Sequence, residues 1–285
     1  MNSLKPLSKN KMRQIRMLRK RSERYKRGLF IIEGLRAVTQ VIQNNLLQIE
    51  DVIVDENVFH NQNLHDEFKL LLGGSLPLSM IHSVSSTLFD ELSDTENAQG
   101  VMAVASMPDT SASHDMLEKQ GIILAADRIQ DPGNLGTMIR SAVWFGACGL
   151  VMAPGTVDLF NPKVVRGTAG ATGVLPWLET KLTAFFKEAI QSGWTIHIMD
   201  GGADARSWKR VSATGKDILV AGNEAGGVSE ELSAFSQREG HCQKVRIDAP
   251  ERPASEISGK KSAGVESLNV AVAAGILLAR MSREE

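Results

Sequence analysis

The hydrophobic positions of this chain fall into two regimes. Through the first hundred residues, short apolar runs alternate with amphipathic stretches. The pattern predicts a basic helix over 9–21, a strand over 29–33, a helix over 35–44, a strand over 51–55, a helix over 65–72, a short strand over 79–81 and a strand over 101–105. Gly73, Gly74 and Pro77 punctuate this run as turns. Residues 107–114 are small, polar and without period, so they read as a linker. From Gly121 the pattern changes. Gly-Ile-Ile-Leu-Ala-Ala is continuously apolar, as a strand covered on both faces must be. Further strands are predicted over 149–153, 195–199, 218–221 and 245–247, with helices over 137–145, 162–170, 182–192, 229–237 and 268–281. The expected fold is therefore α/β: a small α/β domain over 1–107, a linker over 108–118, and a larger domain over 119–285 with a mostly parallel, helix-covered sheet.

A length of 285 residues with 42% hydrophobic content suits one or two globular domains. Only two cysteines occur, Cys148 and Cys242, with no C-x-x-C, and the histidines show no paired spacing, which argues against a disulfide framework or a metal site. No apolar run is long enough for a bilayer and the first residues carry no hydrophobic signal core, so a cytoplasmic protein is expected. A mitochondrial leader over 1–27 is the weaker reading, because the folded pattern begins almost at once.

The charge is unevenly spread. Residues 1–27 hold eleven Lys/Arg and one acid, Glu23; this segment carries +10, so a net charge of −1 leaves −11 on the rest. A solvated helix face accounts for such a run. Equally, Lys9, Lys11, Arg13, Arg16, Arg19, Lys20, Arg24 and Arg27 are the residues that phosphate neutralisation needs, and Arg13, Arg16, Arg19 and Lys20 are the candidate RNA contacts.

Three segments share one construction, a strand, then a glycine-bearing polar turn, then a helix. The first runs from Asp127 to Arg140, where Gly133 and Gly136 allow close backbone approach, Asn134 stands at a capping position and Arg140 about a turn further on. Capping and surface solvation would also explain these two. The second, Gly222-Asn223-Glu224-Ala225-Gly226-Gly227, sets one acid among three glycines; Glu224 also suits a helix N-terminus. Ser229 is a cap for the helix that follows. In the third, Ser267 stands as a cap with Asn269 inside the first helical turn. Turns of this kind hold ligands at the carboxyl ends of a parallel sheet, and no GxGxxG dinucleotide fingerprint is present.

Taken in order, these segments resemble the three motifs of the SpoU, or TrmH-type, branch of the SPOUT superfamily of RNA ribose 2′-O-methyltransferases: Asn134 to Arg140, Gly222 to Gly227, and Glu266-Ser267-Leu268-Asn269-Val270. The residues Phe30-Ile31-Ile32-Glu33-Gly34-Leu35-Arg36 resemble the ribosomal-protein-like substrate-binding domain that precedes the catalytic domain in many members. The resemblance implies a deep trefoil knot, a homodimer, and S-adenosyl-L-methionine bound among Gly222, Asn223, Glu224, Gly226, Ile247, Ser267 and Leu268, without a metal. It implies catalytic roles for Asn134, Arg140, Glu224, Ser267 and Asn269. The substrate expected is RNA, ribosomal before transfer RNA; an RNA-binding assembly factor of the same fold is the non-enzymatic alternative. One departure stands out: where the family uses a short loop before the third motif, this chain has a longer polar insertion over 251–263.

Overall fold

The computed structural model describes residues 4–59, 76–202, 204–249 and 267–282. The chain divides into two compact units, one made of Met1–Asp109 with Asp158–Val174, the other of Thr110–Val157 with Leu175–Glu285.

In the first unit the elements run β1 (Lys5–Pro6), α1 (Lys9–Met17), α2 (Arg21–Arg27), β2 (Leu29–Glu33), α3 (Leu35–Asn44), β3 (Ile49–Asp55), α4 (Glu56–Phe59), β4 (Ile81–Val84), α5 (Ser86–Leu92) and β5 (Val101–Ser106). The strands form a mixed sheet in the order β1-β4-β3-β5-β2. Ile53, Met102 and Val104 at its centre pack against Leu7, Ile15, Leu18 and Phe89. Two expectations are corrected. The stretch expected as a strand over 79–81 is largely a 3-10 turn, Leu78–Met80, leading into β4. The helix expected over 9–21 breaks after Met17. No proline or glycine marks that break; a side chain five to six residues further on takes up carbonyls there. Arg24, only 2% exposed, donates from Nη1 to the carbonyls of Leu18 (2.9 Å) and Arg19 (2.8 Å), taking up acceptors at the helix end. The helix expected over 65–72 lies outside the described residues.

The same arginine forms a buried ion pair with Asp158, whose other oxygen accepts from the Tyr25 hydroxyl at 2.8 Å. Burial, and after it the neighbouring Asp158, push the Tyr25 phenol up to about 12. Asp158 therefore anchors the Asp158–Val174 segment onto the N-terminal helices of its own unit.

The second unit runs β6 (Gly121–Asp127), α6 (Pro132–Trp144) and β7 (Gly149–Met152). The chain then contributes Asp158–Val174, with α7 (Pro162–Gly167), to the first unit. It continues as β8 (Trp177–Glu179), α8 (Leu182–Gln191), β9 (Thr195–Met199), β10 (Arg206–Ser207), β11 (Lys216–Gly222), α9 (Glu230–Arg238), β12 (Cys242–Arg246) and α10 (Val270–Met281). All seven strands are parallel, in the order β10-β12-β9-β11-β6-β7-β8. Ile123, Ala125, Ile196, Ile198, Ile218 and Val220 pack with Phe185, Phe186, Leu232 and Phe235 of α8 and α9. Their sequence neighbours point to the opposite face by the two-residue period of a strand, and α10 packs there on α6 and β11. Ser111–Glu118, within the expected linker, is a 3-10 helix whose Met116 and Leu117 enter this core, with the Leu117 carbonyl accepting from Trp194 Nε1 at 3.1 Å.

The implied knot would run through the chain joining β12 to α10. Most of that stretch, 250–266, including the insertion and Glu266, lies outside the described residues. Among the described residues no helix is long and apolar enough to cross a membrane.

The Arg24–Asp158 pair makes a specific demand. Arg24→Met should strand a buried carboxylate and lower stability by about 3–5 kcal/mol in urea unfolding. The double variant Arg24→Met/Asp158→Leu should recover most of that loss, and a single variant as stable as the parent would show that the pair does not anchor the unit.

Candidate functional site

The site begins with a register. Asp127 and Gly222 are paired, so β6 and β11 end level and release their turns side by side. In the first turn Asp131 caps α6, its Oδ1 accepting from the Asn134 amide at 2.7 Å, with Pro132 at the first helical position. Asn134 is thus not the cap but a residue of the first helical turn, and its side chain is free for other work. The third turn reverses the expectation in the complementary way. Asn269, not Ser267, is the cap of α10, and its Oδ1 accepts from the amides of Ala271 (2.9 Å) and Val272 (3.3 Å). Ser229 caps α9 as expected, accepting from Leu232 N at 3.4 Å.

The second turn folds back on itself. Asn223 N donates to Gly227 O at 2.9 Å and Gly227 N to Asn223 O at 2.8 Å, with Gly227 at φ +64°. The Asn223 side chain accepts from the amides of Ala225 (3.0 Å) and Gly226 (3.1 Å) and donates to the Arg128 carbonyl (3.0 Å), tying this turn to the first. Gly222 has no room for a side chain: a Cβ there would stand 2.5 Å from the carbonyl carbon of Gly227 and from Val228 N.

The three turns then meet through side chains. Asn134 donates from Nδ2 to Glu224 Oε1 at 2.9 Å and accepts at Oδ1 from Asn269 Nδ2 at 2.8 Å. Beside this chain of bonds lies a pocket of about 460 Å³ at the carboxyl ends of β9, β11 and β12, lined by Gly222, Asn223, Glu224, Ile247, Ser267, Leu268 and Asn269. Gly226 is not in the lining, and its nearest outside neighbour is the Asn223 side-chain oxygen. Arg140 is not in it either: the residue is exposed on α6 and its side chain bonds no described residue. Asp200 and Arg246 also line the pocket and had not been anticipated. Asp200 accepts from Gly202 N at 2.7 Å and pairs with Lys244 Nζ at 3.1 Å. Met199-Asp200-Gly201-Gly202 repeats the construction of strand, acid and glycine seen in the other turns, and that was the available signal.

A larger groove of about 660 Å³ lies along α8 and α9; it is lined by three cations and three acids, of which Lys181 Nζ and Glu231 Oε1 pair at 2.9 Å. Neither cysteine is an activated nucleophile. Burial raises the Cys148 thiol and pushes Cys242 up to about 11.

The candidate RNA contacts divide. Arg13 and Lys20 are exposed and their side chains bond no described residue. Arg16 pairs with Glu91, and Arg19 Nη2 donates to the carbonyls of Glu91 (2.9 Å) and Ser93 (2.6 Å), so they tie α1 and the turn after it to the end of α5. Composition counts charges but cannot show which of them the fold has already used.

Residues 121–279 match the SpoU rRNA Methylase family, and residues 9–103 match the MRM3-like substrate binding domain. The chain belongs to the SpoU rRNA methylase family. It is 26% identical over 280 residues, 98% of both chains, to the 23S rRNA (guanosine(2553)-2′-O)-methyltransferase RlmP of Bacillus subtilis. It is 27% identical over 261 residues, 89% of this chain and 96% of the other, to the 23S rRNA (guanosine-2′-O-)-methyltransferase RlmB of Xylella fastidiosa. In fold it is similar to the SpoU methyltransferase AviRb of Streptomyces viridochromogenes, solved with AdoMet, at a TM-score of 0.75 and 23% identity over 96% of this chain and 97% of that one.

Two glycines of the second turn should respond differently to one added methyl. Gly222→Ala should lower the thermal midpoint, with overpacking of about 1–3 kcal/mol, because the obstructing atoms are backbone. Gly226→Ala, with its nearest neighbour at 3.9 Å, should leave the midpoint near that of the parent; equal effects would contradict this packing.

Proposed function

We propose that this chain is an S-adenosylmethionine-dependent RNA ribose 2′-O-methyltransferase acting on ribosomal RNA. The observation that carries the reading is the Glu224–Asn134–Asn269 chain of hydrogen bonds at the edge of the strand-end pocket. Family membership supports the chemistry, and the relatives named for 2′-O-methylation of 23S rRNA support ribosomal RNA as substrate. A cytoplasmic location accords with that substrate.

The pocket suits the methyl donor. Its volume of about 460 Å³ falls within the range of small-molecule sites, about 300–1,000 Å³. Val245 and Leu277, each 1% exposed, give it an apolar wall for a flat base. Gly222 and Gly227 bring backbone groups close, and Glu224 and Asn269 supply polar edges. The donor, when bound, supplies a methyl group activated on a sulfonium. This chain's residues must present a ribose hydroxyl in line with it, because in-line displacement depends on orientation. Asn134, fixed at both ends of its amide, holds Glu224 and Asn269 in register; the carboxylate can accept from a ribose hydroxyl. Arg140 is the cation for the charge that develops on the attacking oxygen. A guanidinium does not give up its proton in a protein, so it acts as an electrostatic stabiliser rather than a base.

The proposed homodimer draws support from exposed apolar side chains on and just before two helices. Trp144 at the end of α6 is 83% exposed, and Leu268 and Val272 at the start of α10 are 48% and 51% exposed. Arg140 precedes Trp144 by one helical turn and shares its face, so a second copy docked there meets Arg140.

Incubation with labelled S-adenosylmethionine should place the methyl on a ribose of large-subunit ribosomal RNA; incorporation into transfer RNA alone, or none, would reject the ribosomal reading. Arg140→Ala should reduce transfer by about 100-fold or more while donor binding persists, and Arg140→Lys should rescue poorly; near-parental turnover in the alanine variant would remove Arg140 from the mechanism. Light scattering should find a dimer at micromolar concentration, and Trp144→Glu should shift it toward monomer. A parent that is only monomeric would reject the dimer.

A further inference from the structure

The first unit contains a concave site of its own. A cavity of about 210 Å³ opens where the first turn of α3 meets the segment after α7, lined by Arg36, Arg166, Glu33, Thr95, Asn97 and Gln99 among others. Its volume is below the range of about 300–1,000 Å³ typical of pockets that enclose a whole small molecule. It suits a single group carried on something larger.

Its two arginines differ from most of the others in this unit. Arg16, Arg19, Arg24 and Arg27 are all committed to partners within the fold. Arg36 and Arg166, from segments far apart in sequence, are both exposed, line one cavity and make no side-chain bond with a described residue. Two like charges that face one cavity repel, and an anion between them lowers that repulsion. The one carboxylate present is already engaged. Glu33 Oε1 accepts from the hydroxyls of Ser93 and Thr95, the latter at 2.7 Å, and Oε2 accepts from the Asp94 amide at 3.4 Å. Two guanidiniums against one hydrogen-bonded carboxylate leave a net positive site.

Close contacts hold the two segments that carry these arginines. Gly34, at φ +104°, lets the chain turn into α3 beneath Gln99, whose Oε1 accepts from Leu35 N at 3.1 Å; a Cβ on Gly34 would stand 3.0 Å from that same oxygen. On the other side Gly170, at φ +94°, lies against Gln40 of α3, where a Cβ would come within 3.0 Å. The buried Thr168 hydroxyl, 2.6 Å from the Val165 carbonyl and 2.7 Å from Thr172 Oγ1, fixes the turn between Arg166 and Gly170. Arg36 and Ala37 also belong to the first turn of α3, where backbone N–H groups have no intrahelical acceptor and the helix end favours negative charge.

We propose that Arg36 and Arg166 together grip one backbone phosphate of the RNA substrate, a contact built wholly within the first unit. The paired planar forks of arginine match phosphate oxygens better than ammonium groups do. The proposal rests on the RNA reading of the preceding subsection, and it moves part of substrate capture away from the basic N-terminal helix.

The test measures binding of a 23S ribosomal RNA transcript across a series of salt concentrations, for the full chain and for Arg36→Ala/Arg166→Ala. The double variant should bind about tenfold more weakly at 0.1 M salt, and its plot of log affinity against log salt should be shallower by about 0.7–0.9, the loss of one phosphate contact. Arg36→Lys/Arg166→Lys should keep the salt slope while losing affinity, an outcome that misfolding would not produce. Calorimetric binding of S-adenosylmethionine should match the parent in both. If the parent binds and methylates RNA while the alanine variant binds it with the same affinity and slope, the proposal is overturned. A parent that bound no RNA would instead overturn the functional reading beneath it.

Discussion

The candidate site depends on one amide. Asn134 has a donor end and an acceptor end, and the structure uses both: its NH₂ meets the Glu224 carboxylate and its oxygen meets the Asn269 NH₂. Rotating the amide by half a turn would set oxygen against carboxylate and NH₂ against NH₂. Only one orientation is therefore satisfied, and it holds three turns from widely separated parts of the chain in fixed relation. Neither partner is loose. Asn269 is held by capping α10, and Glu224 sits in a turn whose shape is imposed by the Asn223 side chain and by the absence of a Cβ at Gly222.

Much of this was readable from residue order. The apolar run from Gly121 announced a strand buried on both faces, and the repeated strand, polar turn and helix announced where the turns would gather. The roles of particular residues were harder to read. Asn134 and Asn269 each looked plausible in the other's position, because Asp131 and Ser267 are also good caps and capping propensity alone does not choose between neighbours. The choice was made by tertiary contact, when the Asn134 side chain found Glu224. The break after Met17 is likewise not set by propensity. Nothing within residues 9–21 ends a helix, but the buried Arg24 takes the carbonyls at its end.

The basic N-terminal segment shows how composition can mislead about chemistry. Eleven cations in its first 27 residues suggest one broad phosphate-binding face. In the fold several of them are internal fasteners: Lys11 to Asp51, Arg16 to Glu91, Arg24 to Asp158 and Arg27 to Glu23. Of these only Arg24 is buried, yet each paired charge is partly neutralised by its carboxylate and has less to offer an RNA. Arg36 and Arg166 are the opposite case, two residues that no charge run singles out.

The discontinuous make-up of the first unit bears on how the chain is made. A ribosome delivers the N-terminus first, and domains usually fold as they emerge. Here the residues up to Asp109 emerge without the Asp158–Val174 segment that completes their unit, and Arg24 must wait for Asp158. Until then a guanidinium destined for burial stays hydrated and the unit is unfinished. By the time its missing piece arrives, β6, α6 and β7 of the second unit have already been synthesised. Vectorial synthesis thus postpones completion of the N-terminal unit until Val174 has emerged, and the first three elements of the second unit must wait beside it as unfinished chain.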